Sequence, residues 1–178
     1  MHSTYTRISN AGALATTVLL TLLALVSCTT FLIPNRLDPT DSTLRIHSLN
    51  VVRGRARGSP LERDYAFVKF DLKTDLRNLF HWNTKQVFVS LVADYSTPNY
   101  AQNSVVLWDR IVPARTHARL NLQEARQKYE FKTPDRSFEN STAVYSLHYQ
   151  VQPFVGKLTQ GRIVGTEPIQ FPPRSMRT

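Results

Sequence analysis

The 178 residues of the chain allow one hydrophobic segment plus one compact domain with its own core. A single cysteine excludes an intrachain disulfide, so a domain exported from the cytosol must be held by its core or by partners. Twenty-two Lys and Arg against 13 Asp and Glu, a net charge of +9, suit nucleic acid, an anionic membrane surface or an acidic protein, and charge alone does not choose among these.

The first element is hydrophobic. No charged residue lies between Arg7 and Arg36, and Ala11 to Ile33 is apolar apart from Gly, Thr, Ser and Cys. As a helix rising about 1.5 Å per residue it would extend roughly 35 Å, enough to cross a hydrocarbon core of about 30 Å. A cleavable signal has a shorter apolar centre, about 7–15 residues, followed by a polar region where the peptidase acts. Here Phe31, Leu32 and Ile33 follow Ser27, so a cut there would fall inside the membrane. The competing feature is Leu25-Val26-Ser27-Cys28, which fits a bacterial lipoprotein cleavage site and would make the chain a Cys28-anchored lipoprotein with a ligand-binding β-sandwich. Pro34 ends the helix because it lacks the amide donor and clashes with the preceding turn. Asn35 and Arg36 then meet the headgroups. Arg7 and the amino terminus oppose Arg36 and Arg45, so charge asymmetry leaves the orientation open.

From Leu44 onward the apolar period is two. The basic run VVRGRARGSP, with Arg53, Arg55 and Arg57, is expected as a solvated loop. AFVKFDL puts Ala66, Val68, Phe70 and Leu72 on one face, and KQVFVSLVADY puts Val87, Val89, Leu91, Ala93 and Tyr95 on one face with Gln86, Ser90 and Asp94 opposite. SVVLWDRIV is a further strand, and QKYEF and GRIVGTEPIQF hold shorter ones. TAVYSLHYQVQ alternates Ala143, Tyr145, Leu147, Tyr149 and Val151 against Ser146, His148, Gln150 and Gln152. Such alternation in β-branched and aromatic residues predicts half-buried strands. Turn signals at Gly58-Ser59-Pro60, Thr97-Pro98-Asn99, Thr133-Pro134-Asp135 and Gly156 separate them. Only PLERDY, TDLRNLF and NLQEARQ are candidates for helical turns. The expected architecture is therefore mainly β: an antiparallel β-sandwich behind a single N-terminal transmembrane helix, with PIQFPPRSMRT a strand end followed by a disordered terminus.

Catalytic chemistry is not legible. There is no G-x-S-x-G elbow, Ser-x-x-Lys pair or paired-carboxylate arrangement. His2, His47, His81, His117 and His148 are too dispersed for a metal site, and no cofactor is implied. His148 is expected as a solvent-facing imidazole, and Trp82 and Trp108 as core or sheet-surface packing in preference to interface anchors. Asn140-Ser141-Thr142 is the only N-x-[ST] sequon, in a polar turn where a glycan would be accessible.

Leu79 to Val112, LFHWNTKQVFVSLVADYSTPNYAQNSVVLWDRIV, resembles the signal peptidase complex subunit 3 family. The resemblance rests on Leu79, Phe80, Trp82, Asn83, Lys85 and Gln86, on Ala93 and Tyr95 ending a strand, and on the block from Asn103 through Trp108 to Asp109. The approach DYAFVKFDLKTDL and the position of Asn140 are similar too. Departures fall in ARTHARL, KTPDRSF and the run Arg53 to Arg57. The resemblance implies a non-catalytic accessory subunit of the endoplasmic reticulum signal peptidase, required for its activity. It implies residues 1–10 in the cytosol, a span over 11–33 and a lumenal domain from 34 to 178, with Asn140 glycosylated. The implied partners are the catalytic subunit, the other small membrane subunits and membrane lipid, with neither nucleic acid nor a small-molecule substrate.

Overall fold

The computed structural model describes residues 3–32, 42–55 and 61–174. Helix α1 spans Thr4–Leu32. Ser3 caps its start, its hydroxyl accepting from the Thr6 amide at 3.3 Å. The hydroxyls of Thr16, Thr17 and Thr21 each donate to the carbonyl four residues earlier at 2.9 Å. These polar groups are thereby satisfied within the helix, which makes them tolerable in lipid. None of the most apolar eighteen-residue stretch of α1 is buried against the rest of the chain, and the helix is long and apolar enough to cross a membrane. Ile33, Pro34, Asn35 and Arg36 lie outside the described residues.

Behind it stand two antiparallel sheets. The strands are β1 (Thr43–Arg55), β2 (Glu62–Asp75), β3 (Thr84–Tyr95), β4 (Asn103–Val112), β5 (Arg119–Arg126), β6 (Phe131–Lys132), β7 (Thr142–Pro153), β8 (Thr159–Gly165) and β9 (Ile169–Gln170). One sheet runs β1-β2-β5, with β6 pairing β2 beyond the end of β5. The other runs β4-β3-β7-β8, with β9 pairing β7. The Gln127 side chain fills the gap on β2 between β5 and β6, donating to the Ala66 carbonyl at 3.0 Å and accepting from the Val68 amide at 2.8 Å. It does there what a strand backbone would do.

The alternation read from the sequence places the core. Ala66, Val68, Phe70 and Leu72 face inward from β2, and Val87, Val89, Leu91, Ala93 and Tyr95 from β3. Ala143, Tyr145, Leu147, Tyr149 and Val151 face inward from β7. Burying these faces between the sheets supplies the main favourable term for folding. Trp108 packs edge-on to Phe70, ring centroids 5.8 Å apart, as expected, whereas Trp82 stands exposed.

Several expectations are corrected. The basic run is not a loop through Arg55: β1 continues to that residue, paired with β2, and Arg53 and Arg55 both close on Glu62 at 3.3 and 3.4 Å. Gly54 lets the Tyr65 ring approach closely, since a Cβ there would sit 3.0 Å from the ring and force it to shift. Arg57 and Gly58-Ser59-Pro60 lie outside the described residues. NLQEARQ is strand β5 rather than helical; Glu124 takes a left-handed φ of 46° at a bulge, where its amide donates to Asp71 at 2.6 Å. LERDY leads into β2, TDLRNLF supplies a 3-10 turn at Arg77–Leu79, and a further 3-10 turn that was not expected forms at Arg115–His117. Ser90 and Ser146, assigned to the polar faces, are buried, and His148 is half-buried rather than solvent-facing.

The sandwich has two ends. β3 begins opposite the end of β7, with Thr84 paired to Pro153, and finishes opposite its start, with Tyr95 paired to Ala143. At the Tyr95 end, Tyr95, Phe131, Phe138 and Phe171 interlock, Phe138 and Phe171 being stacked 4.3 Å apart. The C-terminal segment is tied down here as far as Arg174, whose guanidinium donates to the buried Asp64 carboxylate at 3.1 Å; residues 175–178 lie outside the described residues.

At the Thr84 end, Asp75 accepts from the Arg77 amide and guanidinium and from Arg119 at 3.2 Å. The Arg77 hydrogen bonds are the main cause holding its carboxyl down at about 2. A depressed folded pKa means stability present above the ordinary value of 3.8 and lost as pH falls towards about 2. The side chain is 28% exposed, so solvent screening limits the contribution to about 1 kcal/mol. Asp75→Asn should therefore melt below the parent at neutral pH, and the gap should close on acidification from about pH 4 to about pH 2. A pH-independent gap in thermal melts would show that the ion pair is not its source.

Candidate functional site

The most organised polar constellation lies where α1 meets the sandwich. Between the Arg77–Leu79 turn and β3, Thr84 donates its hydroxyl to the Leu79 carbonyl at 2.9 Å and accepts from the His81 amide at 3.2 Å. The His81 Nδ1 accepts from the Asn83 amide at 3.3 Å, and burial lowers the pKa of this imidazole. These bonds shape the HWNT segment so that Asn83 points inward, 2% exposed. Its side-chain amide donates to the Val155 carbonyl at 2.7 Å and accepts from the Val155 amide at 3.2 Å. Its own carbonyl takes the Phe154 amide at 2.9 Å. Asn83 thus clamps the β7–β8 turn through three hydrogen bonds to two successive residues.

That turn carries the helix. Gly156 has a φ of +118°, in the region open to glycine, and a Cβ there would sit 3.2 Å from the Thr30 hydroxyl and 3.3 Å from that of Ser27. Thr30 is buried, and its hydroxyl bonds back to the Ser27 carbonyl at 2.6 Å. The last turns of α1 therefore rest on the segment that Asn83 fixes. Gln86 reinforces the same region by donating to Gln152 at 2.5 Å, while Lys85, the extra residue in a bulge between Thr84 and Gln86, is exposed.

The other motif residues lie elsewhere. Tyr95 belongs to the aromatic cluster at the opposite end. Trp108 and Asp109 follow the bulge at Leu107, whose carbonyl accepts from the amides of Lys128 and Tyr129 at 2.7 and 3.0 Å. Asp109 accepts from Lys128 Nζ at 2.7 Å and the Tyr129 hydroxyl at 2.9 Å, and the Lys128 ammonium holds its carboxyl below the usual range. Leu107 and Asp109 together tie β4 of one sheet to the β5–β6 connection of the other. Asn140 is exposed, with a left-handed φ of 57°, in the turn before β7. Ala11 lies within α1. Trp82, Asn83, Lys85 and Gln86 are brought together at the helix junction, whereas Tyr95, Trp108, Asp109 and Asn140 are not. Sequence reasoning missed Thr30 and Val155 altogether, saw Ser27 only as part of a candidate cleavage site and saw Gly156 only as a turn signal.

The model of a family described as "Signal peptidase subunit" matches residues 1–174. The chain belongs to that family. It is 37% identical over 142 residues to signal peptidase complex subunit 3 of Saccharomyces cerevisiae, covering 79% of this chain and 76% of the relative. It is 32% identical over 173 residues to the Drosophila melanogaster subunit, covering 97% and 96%. With the Homo sapiens subunit it shares 39% over 115 residues, 64% of each chain. The match to this signal peptidase subunit family runs through α1 as well as the sandwich. The lipoprotein reading gains nothing from it, and Leu25 to Cys28 run unbroken through the helix.

One juxtaposition was not legible beforehand. The Ser146 hydroxyl lies 2.9 Å from His148 Nε2 on β7. Ser146 is fully buried, which denies it to a substrate, and among the described residues no carboxylate is hydrogen-bonded to this imidazole. Among the described residues, no three His, Cys, Asp or Glu side chains group to hold a metal.

Proposed function

We propose that this chain is a non-catalytic, membrane-anchored accessory subunit of a signal peptidase complex in the endoplasmic reticulum, helping to assemble and hold the catalytic subunit where signal peptides emerge. The observation that carries the reading is the family match across residues 1–174, anchor and sandwich together. In this reading residues 1–10 are cytosolic, 11–33 span, and the domain from residue 34 is lumenal. Its partners are the catalytic subunit, the other small membrane subunits and lipid. What the structure adds in support is a sandwich joined to its helix through Asn83 and Gly156. Depleting the protein should make uncleaved precursors accumulate and destabilise the catalytic subunit, and the purified chain alone should process no precursor. Normal processing after depletion, or cleavage by the chain alone, would overturn the reading.

The orientation has its own reporter. Asn140 sits at the start of β7 and the helix junction at its end, and 12 residues of strand at about 3.4 Å each separate them by roughly 40 Å. A glycan on Asn140 would therefore stand clear of the membrane. Endoglycosidase H should give one mobility shift that Asn140→Gln removes. Digestion of the domain by protease added to sealed, detergent-free microsomes would mean the reverse orientation.

A further inference from the structure

The two most exposed large apolar side chains of the described domain are Phe154, 66% exposed, and Trp82, 62% exposed, and both belong to the helix junction. Phe154 donates its amide to Asn83, the residue after Trp82, and Leu158, 50% exposed, follows in the same turn. Lys85 and Lys157 are exposed beside them, and neither takes part in an ion pair among the described residues. Exposed apolar side chains grouped at one end of a domain call for a partner.

The helix says which partner. Gly156 touches Ser27 and Thr30, five and two residues before the last described helical residue, Leu32. At about 1.5 Å per residue these contacts lie roughly 3–8 Å back from the helix end. The interfacial layer on each side of a bilayer is only about 6 Å thick. With the span running from 11 to 33, as proposed above, a turn that touches α1 at Ser27 and Thr30 lies at the headgroup layer rather than above it. We propose that this end of the sandwich is a membrane-binding surface: Trp82, Phe154 and Leu158 insert into the headgroup layer on the domain's side, and Lys85 and Lys157 meet lipid phosphates. Aromatic rings and lysines are the side chains that favour this depth. Asn83 then has a further role, because its clamp fixes the tilt of the domain on the bilayer surface as well as its attachment to the helix. The proposal rests on the reading that α1 spans.

The test uses the full chain reconstituted in phosphatidylcholine vesicles, in a Cys28→Ser background that removes the lone cysteine. Nitroxide labels at Phe154→Cys and Trp82→Cys are compared with Leu20→Cys in α1 and Phe67→Cys on the outer face of β2. All four native side chains are exposed, so labelling leaves the core intact. The ratio of collisions with oxygen to collisions with a water-soluble nickel chelate should be several-fold higher at 154 and 82 than at 67, approaching that at 20. Ratios at 154 and 82 equal to that at 67, with 20 in lipid, would overturn the proposal and leave the spanning helix standing. Protection of 154 and 82 from both reagents would overturn it in favour of a protein contact. A nickel-accessible label at 20 would sink the spanning reading itself.

Discussion

Leu147→Asp is expected to abolish the folded domain. Leu147 is fully buried on β7, the strand between β3 and β8, and pairs with Leu91 on one side and Val164 on the other. A carboxylate there has no described partner, and burying it unpaired costs several kcal/mol against a typical domain stability of about 5–15 kcal/mol. His148→Asp, one residue on, should cost far less, about 1–2 kcal/mol, because the half-buried side chain loses only its bond to the Ser146 hydroxyl. Circular dichroism melts of the two variants should differ sharply. Equal losses would refute the division of β7 into an inner and an outer face.

Asn83→Ala should have the next largest effect. It leaves the amide and carbonyl of Val155 without their partners, and unsatisfied groups at this buried site should cost about 2–4 kcal/mol together. Asn83→Asp should not rescue it, since a carboxylate oxygen would face the Val155 carbonyl now 2.7 Å away. The loss should be local before it is global: hydrogen exchange should accelerate through residues 154–158, where the turn meets α1, before the strands of the core respond. Unchanged exchange there would mean that the turn holds its shape without the clamp.

The contrast between these two sites shows what was legible. Leu147 could be assigned from the sequence because strand side chains alternate strictly, so a run of apolar residues at every second position specifies one buried face. Asn83 could be picked out only as part of a motif. Its use depends on Val155, 72 positions away, and no local pattern encodes that distance. The same limit explains Asp64, a charged residue in an otherwise apolar face whose partner Arg174 lies 110 positions on. The helical expectation for NLQEARQ failed for a related reason: all but Asn121 are good helix formers, but intrinsic propensity amounts to only tenths of a kcal/mol per residue, and pairing with β2 outweighed it.

Sequence alone determined the apolar helix, the mainly β class, the inner faces of β2, β3 and β7, and the family resemblance, because each is written in local composition, period-two alternation or contiguous motifs. Tertiary structure decided that the motif residues divide between two ends and a side of the sandwich, that Ser146 is covered, and that the β7–β8 turn carries the end of α1. The physical reason is the same in each case. Hydrogen-bond partners and burial are set by which distant segments the sheet register brings together, and side-chain pattern fixes the face of a strand without naming its neighbour.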